Sequence, residues 1–142
     1  MVVGIDAGTH TGIAIFENQK LARMYSTNTY EAIVFLQECA YKIKKVIIED
    51  SAKQSYIWNK NNKTGGALGR HARNIGSVDG SVRVFKEACE ALKIGIIAIS
   101  PLQKGKKWTH AEFVHYFPYY KGQTNQHERD AAKCVVSQRY EI

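Results

Sequence analysis

The feature that most constrains the fold is a glycine-punctuated segment at the start of the chain. An apolar run over residues 2–5 ends in a single carboxylate, Asp6, and a second apolar run follows a turn that contains Gly8 and Gly12. Short runs rich in Val and Ile and interrupted by Gly are typical of two strands in a hairpin. Asp6 ends the first strand, so its charge needs either a bound cation or hydrogen bonds from the turn backbone. This segment alone favours neither interpretation.

The size and composition of the chain predict one globular domain over residues 1–142. Apolar residues make up 44% of the sequence, which is enough for a sizeable core. The longest apolar run falls far short of the roughly 20 residues that a membrane span needs, and the start lacks the basic segment of a signal peptide. We therefore expect a cytoplasmic protein with no membrane partner.

The charge of the chain favours a polyanionic partner. The formal net charge is +7 at pH 7, with 20 Lys and Arg residues against 13 Asp and Glu residues. Such an excess suits nucleic acid, although it concerns association and carries no information about the fold.

The cysteines give no sign of a disulfide framework or a zinc site. Cys39, Cys89 and Cys134 are far apart in the sequence, odd in number and without a Cys-x-x-Cys pair. We expect them to be reduced residues of the core.

Two further elements follow the hairpin. Residues 20–27 predict a third antiparallel strand after a turn at Asn18-Gln19. Asn28, with Glu31 three residues later, predicts the N-terminus of a helix that ends near residues 44–45.

The next apolar run brings a second acid to the edge of the sheet. Residues 45–50 read as a short buried strand that ends in Glu49 and Asp50. A helix between two such strands predicts a right-handed crossover and parallel pairing. Asp6 and Glu49 should then lie at the same carboxyl edge, where ligands bind in sheets of this type.

The second half of the chain alternates polar segments with apolar elements. In order, the sequence predicts a polar loop over 51–66, a helical region from Leu68, a strand over 94–100, a basic loop over 103–107, a short helix over 109–117 and a last helix from 126 to about 140. Gly76 and Gly80 have a spacing that suits either a contact with a second subunit or close packing within the chain.

The last helix carries two metal-ligating side chains on one face. His127 and Asp130 are three residues apart. If this helix crosses the carboxyl edge of the sheet, they join Asp6 and Glu49 in an oxygen-rich cluster that suits Mg²⁺ or Mn²⁺. Two such ions would activate a water and stabilise the leaving oxygen of a phosphodiester. The alternative is an ordinary charged helix start, since acids favour the first turn.

The order of these motifs resembles the RuvC-type Holliday junction resolvases of the RNase H-like superfamily. The resemblance rests on Asp-x-Gly-x-x-Thr-Gly over residues 6–12, a Glu at the end of the fourth strand and His127-x-x-Asp130 in the last helix. It implies an α/β, RNase H-like fold with a five-stranded mixed sheet in the order 3-2-1-4-5, flanked by helices. It also implies a homodimeric endodeoxyribonuclease of DNA recombination and repair, which resolves four-way junctions by metal-dependent hydrolysis.

The same resemblance implies the site residues. Asp6, Glu49 and Asp130 match the metal-binding carboxylates of the family, and His127 matches the fourth catalytic position. The implied cofactor is Mg²⁺, or Mn²⁺, with two ions per site. Asp50 is the alternative to Glu49, because neighbouring strand residues face opposite sides of a sheet and only one of the two can serve.

Basic and aromatic residues outside this cluster predict a surface for branched DNA. Basic side chains would contact phosphates, and aromatic rings would stack on bases exposed at a junction centre. The candidates are Lys53, Tyr56, Trp58, Lys60, Lys63, Arg70, Arg73, Lys104, Lys106 and Lys107. Alternatively, the aromatic rings anchor their loop in the core and the lysines form an ordinary solvated face.

Other functions stay open at this point. A YqgF-type nuclease that matures ribosomal RNA, or an RNase H that acts on RNA–DNA hybrids, would share the fold and the metal chemistry. A non-catalytic nucleic-acid-binding module would have lost site residues, whereas all four types are present. Actin-like ATPases open with a similar Asp-x-Gly turn but need two such domains, more than 142 residues can supply.

Overall fold

The computed structural model describes residues 1–53 and 80–138, and these contain a five-stranded mixed sheet. The strands are β1 (Val2–Asp6), β2 (Thr11–Glu17), β3 (Lys20–Thr27), β4 (Lys45–Glu49) and β5 (Gly95–Ile99). They lie in the order β3-β2-β1-β4-β5, antiparallel from β3 to β1 and parallel from β1 to β5. The predicted α/β fold and sheet order are confirmed.

Turn chemistry sets the register of the second hairpin. Asn18 and Gln19 both have positive φ, 49° and 66°, which a two-residue turn requires if its twist is to match that of the flanking strands. The register then shifts between Ile15 and Phe16, so that β2 is irregular against β3.

Helices flank the sheet. They are α1 (Thr29–Cys39), α2 (described over residues 80–91), α3 (Pro101–Lys104), α4 (His110–Tyr116) and α5 (Gln126–Val136). Asn28, Thr109 and Asn125 cap α1, α4 and α5, each accepting a hydrogen bond from the backbone N–H three residues later.

Two helices differ from the sequence prediction. Helix α1 ends at Cys39 and not near residues 44–45, because the chain tightens into a 3₁₀ turn over Ala40–Lys42. Helix α3 has no counterpart in the prediction. It begins with Pro101 directly after Ser100, whose side chain forms a reciprocal capping box with Gln103.

The sheet separates two apolar cores, because successive strand residues point to opposite faces. The core under α1 and α2 contains Val3, Ile5, Leu36, Val46, Ile48 and Phe85. The core under α4 and α5 contains Ala14, Phe16, Ile47, Ile99, Phe113 and Val135. The alternation leaves Asp6 and Glu49 on the same face as α5.

Helix α5 lies directly on the backbone of β1 and β2. A Cβ atom added at Gly4 would lie 2.8 Å from Cγ2 of Val135 and closer still to the carbonyl oxygen of Ala131, and one added at Gly12 would clash with the carbonyl group of His127. Such close approach needs glycine on the strands, and the helix contributes small buried residues such as Ala131. The first turn of α5 therefore sits over the carboxyl end of β1.

The remaining sequence expectations are met in part. Cys89 and Cys134 are buried, Cys39 is half-buried, and all three are free thiols. Within residues 1–53 and 80–138, none of the helices is long and apolar enough to cross a membrane. The expected contacts of Tyr56, Trp58, Lys60, Lys63, Arg70, Arg73 and Gly76 lie outside the described residues. The last helix ends at Val136, where Ser137 caps it, and not near residue 140 as predicted.

Gly4→Ala should destabilise the protein, because the new methyl group would meet the backbone of α5. We expect a loss of about 3 kcal/mol in the free energy of unfolding, at the upper end of the usual cost of overpacking. Urea denaturation would measure it. Gly95→Ala is the matched control, since its Cβ would lie 3.6 Å from its nearest neighbour, the Lys44 carbonyl oxygen. An equal loss in both variants would contradict this account of the packing.

Candidate metal and catalytic centre

Two acids end neighbouring parallel strands. Strands β1 and β4 pair from Val2–Lys45 to Ile5–Ile48, and the next residue along each strand is an acid, Asp6 or Glu49. Both side chains point to the face that α5 covers, where their partners are found. The strand register thus brings together residues far apart in the sequence.

Asp6 contacts the first turn of α5. Its Oδ2 atom lies 2.9 Å from Nδ1 of His127. When Asp6 is ionised its carboxylate can only accept, and the Nδ1–H group of His127 is then the donor. The His127 side chain is 45% exposed, which places it on the solvent side of the cluster. The exposed ring of His10 lies 5.9 Å from the His127 ring, between centroids.

Asp130 is held from within its own helix. It is only 2% exposed, and its Oδ1 accepts a hydrogen bond of 3.0 Å from Nε2 of Gln126. Arg129 donates to the Gln126 amide oxygen at 3.1 Å, which fixes the orientation of that amide. The remaining Arg129 donors bind Trp108 and Thr124, so this network ties the loops before α4 and α5 to the helix.

A buried lysine lies between two of the acids. Lys104, at the end of α3, is 6% exposed, and its Nζ contacts Oε2 of Glu49 and lies 3.7 Å from Oδ1 of Asp130. Burial acts to lower the pKa of Lys104, but the carboxyl groups of Glu49 and Asp130 outweigh it and hold the pKa above its ordinary value. Lys104 is therefore charged at neutral pH.

Burial is also the largest influence on Asp6, and it raises the pKa of this carboxyl above its ordinary value. The hydrogen bond with His127 and the charge of Lys104 oppose the shift, whereas the charge of Asp130 adds to it. The surroundings of Asp6 thus disfavour its ionisation, and His127 and Lys104 offset the effect of burial only in part.

The structure separates Glu49 from its neighbour Asp50. Asp50 is buried on the opposite side of the sheet, where its Oδ1 accepts from the backbone N–H of Ala52 at 3.0 Å and its Oδ2 pairs with Lys86. Both carboxylate oxygens of Asp50 therefore have partners on that side of the sheet. Glu49 is therefore the acid that faces Asp6 and Asp130.

The donor chemistry of the cluster fits a hard divalent cation. Three carboxylates and an imidazole share one edge, and the buried Oε2 atom of Glu49 has the Lys104 ammonium as its contact. The side chains nevertheless form two groups, Asp6 with His127, and Glu49 with Asp130 around Lys104. Among the described residues, no three His, Cys, Asp or Glu side chains converge on a single ion position.

The predicted DNA-contacting lysines of the described segments fall into two classes. Lys106 and Lys107 are exposed, and Lys106 pairs with Glu112 at 2.7 Å. Lys53 donates at 2.7 Å to the backbone oxygen of Ala98, at the edge of β5. Lys104 differs from the expectation, because its ammonium is buried in the cluster and is not presented on a surface.

Sequence reasoning did not identify Lys104 as part of the acidic cluster, nor Gln126 and Arg129 as its supports. The signal for Lys104 was the sequence Ser100-Pro101-Leu102-Gln103, a capping box that turns the chain sharply after β5. A residue that follows such a turn stays near the carboxyl edge of the sheet.

The chain matches no protein-family model and no curated protein. Solved structures with similar folds include T. thermophilus RuvC in complex with a Holliday junction substrate, with a TM-score of 0.62, 16% identity and coverage of 98% of this chain and 92% of that one. A Thermus thermophilus RuvC structure has a TM-score of 0.52 and 16% identity, with coverage of 98% of this chain and 93% of that one. Fowlpox virus resolvase in complex with Holliday junction DNA has a TM-score of 0.60 and 15% identity, with coverage of 100% of this chain and 100% of that one. At these identities the likeness establishes the fold alone, which this chain shares with the solved RuvC and Fowlpox virus resolvase structures.

Asp6→Asn should change how stability depends on pH in metal-free protein. The folded state raises the pKa of Asp6, so this carboxyl binds more protons in the folded than in the unfolded state, and its contribution to stability falls as the pH rises from about 4 through that pKa. The amide of the variant does not titrate. We therefore expect Asp6→Asn to gain stability relative to the wild type over this range, as measured by urea denaturation with EDTA.

The same comparison in a His127→Gln background provides the control, because it removes the imidazole that Asp6 contacts. Here the double variant Asp6→Asn/His127→Gln is compared with the single variant His127→Gln. The stability of the double variant relative to the single variant should increase with pH. A relative stability that decreases with rising pH would contradict the electrostatic account of Asp6.

Proposed function

We propose that this chain is a structure-selective endonuclease that resolves four-way DNA junctions by paired, metal-dependent hydrolysis of phosphodiesters. The observation that carries the proposal is the meeting of Asp6, Glu49, His127 and Asp130 at one edge of a RuvC-type sheet. The net charge of +7 supports a nucleic-acid substrate. The likeness to T. thermophilus RuvC and Fowlpox virus resolvase, both solved with Holliday junctions, supports branched DNA as the substrate.

Asp6, Glu49, His127 and Asp130 would hold Mg²⁺, or Mn²⁺, as two ions per site. When bound, such ions supply a water nucleophile at neutral pH and neutralise charge on the leaving oxygen. The Oε2 atom of Glu49 supports this role, since this buried carboxylate oxygen already contacts a cation, the Lys104 ammonium.

The protein's own contribution is to fix these groups in place. Gln126 and Arg129 hold Asp130 rigidly, and His127 holds one oxygen of Asp6. Ligands whose orientation is set by neighbouring hydrogen bonds need less reorganisation during the reaction.

Exposed basic side chains would bind the DNA backbone beside the site. Lys107 lies 3.9 Å from Oδ2 of Asp130 and is largely exposed, so it borders both the cluster and solvent. Contacts of this type bind phosphates, depend strongly on salt and carry little sequence information. The basic and aromatic residues between 54 and 79 remain predicted contacts.

Resolution of a junction requires two incisions at symmetrical positions. We infer that residues 1–142 form one nuclease domain with one site, so that a homodimer would supply the second site. A strictly monomeric protein that makes paired incisions would contradict this part of the proposal.

Glu49→Gln should abolish cleavage while leaving junction binding intact. Glutamine keeps the shape of the side chain but removes the charge that a divalent ion needs, so we expect the cleavage rate to fall by at least about 10²-fold at saturating Mg²⁺. Single-turnover cleavage of a labelled junction, together with a gel-shift measurement in Ca²⁺, would check both parts.

Asp50→Asn is the matched control, because it changes the adjacent acid on the other face of the sheet. It should leave the cleavage rate nearly unchanged at a temperature at which the variant is folded, although its pair with Lys86 is lost. Activity that survives Glu49→Gln and disappears in Asp50→Asn would refute the assignment.

A substrate panel separates junction resolution from the alternatives. Labelled four-way junction, linear duplex, RNA–DNA hybrid and structured RNA would be incubated with Mg²⁺, with Mn²⁺ and with EDTA. We expect paired symmetrical nicks in the junction only, and none in EDTA. Preferred cleavage of hybrid or RNA would favour an RNase H or YqgF-type activity, and binding without cleavage would favour a non-catalytic module.

A further inference from the structure

The position between Glu49 and Asp130 is filled by a side chain of the protein itself. The Lys104 ammonium touches Oε2 of Glu49, lies 3.7 Å from Oδ1 of Asp130 and is almost completely buried. Lysine is rarely buried unless it is paired. Here its partners are two of the carboxylates that the proposed function assigns to a divalent cation.

Lys104 is the buried cation of this cluster in the described part of the chain. Lys107 is the other lysine near Asp130, but it lies 3.9 Å away on a side chain that is 71% exposed, where solvent screens its charge. If Lys104 were absent, the carboxylates of Glu49, Asp130 and Asp6 would lie near one another with no buried positive charge among them. Buried like charges of this kind are strongly unfavourable.

Lys104 lies at the end of a short local element. It ends a helix of four residues, and the next residue, Gly105, has a φ of 77°, so a short element and a turn carry the side chain. The lysine stem is long and flexible, and an ammonium is a strongly hydrated point charge that binds without fixed geometry. The groups around it can thus exchange one cation for another.

We propose that Lys104 is a positioning residue that serves as an internal counter-cation, and that divalent metal binding expels its ammonium from the position between Glu49 and Asp130. This inference rests on the proposed function, because it concerns the same carboxylates. In the metal-free protein Lys104 keeps the two carboxylates together. Metal binding is then an exchange of cations, and its affinity is reduced by the loss of the lysine contacts.

Lys104→Met should therefore bind metal more tightly than the wild type. Methionine keeps much of the apolar stem but removes the competing charge, so we expect the Kd for Mn²⁺ alone, measured by calorimetry and by Mn²⁺ spin resonance, to fall at least about tenfold. The thermal midpoint should also rise more on adding Mn²⁺ in the variant than in the wild type. Neither readout depends on DNA cleavage.

Lys107→Met is the matched control. It removes a charge at a similar distance from Asp130, but an exposed one, so its Kd for Mn²⁺ should stay within about twofold of the wild-type value. Adding Glu49→Gln to Lys104→Met should abolish the tight binding, which assigns it to this cluster.

The wild-type protein offers a second measurement that does not require Lys104→Met to fold. Reductive methylation, followed by mass spectrometry that resolves each lysine, should modify Lys104 slowly without metal and several-fold faster in Mn²⁺. Lys106 and Lys107, which are both exposed, report the general reactivity in the same peptide region.

The outcomes separate the two proposals. Equal Mn²⁺ affinity in wild type and Lys104→Met, with unchanged Lys104 methylation, would overturn the exchange while leaving the metal-dependent nuclease in place. Absence of Mn²⁺ binding in every variant would overturn both. Tighter binding in Lys104→Met with faster wild-type methylation supports the exchange.

Discussion

The close contact between α5 and the backbones of β1 and β2 is the constraint on which the candidate site depends. Gly4 and Gly12 admit the helix to a distance that any side chain would prevent, and Ala131 lies at the point of contact. Because α5 starts over the end of β1, His127 and Asp130 reach acids that lie far earlier in the sequence. The apolar packing thus sets the distances between charged groups.

The second constraint is electrostatic. Acids that share a sheet edge repel each other and lose hydration, and the structure compensates each in a different way. Asp6 contacts an imidazole, Asp130 accepts a side-chain hydrogen bond, and Glu49 touches a buried ammonium. A cluster balanced by a flexible lysine and a half-exposed histidine, and not by rigid arginine pairs, remains able to accept an external cation.

Much of this arrangement follows from local sequence rules. Strand alternation and the crossover rule place Asp6 and Glu49 at one edge, and the caps Asn28 and Asn125 fix where two helices begin. Alternation also explains why Glu49, and not Asp50, faces α5. These features depend on the alternation of side chains along strands and on residues close in the sequence, so they can be predicted from a single sequence. The position of Lys104 could not be predicted in the same way, because a lysine in a basic segment is usually solvated and only the four-residue helix after Ser100 turns this one inward.

Solvent exposure decreases across the cluster, from an exposed outer rim to a buried floor. His127 lies on the rim and Asp130 on the floor, beneath the side chains that contact it. Water and salt attenuate electric fields at the rim far more than at the floor. A rise in ionic strength would therefore weaken the proposed recognition of a polyanion at the rim, while the attraction of the floor for a small ion would stay nearly constant.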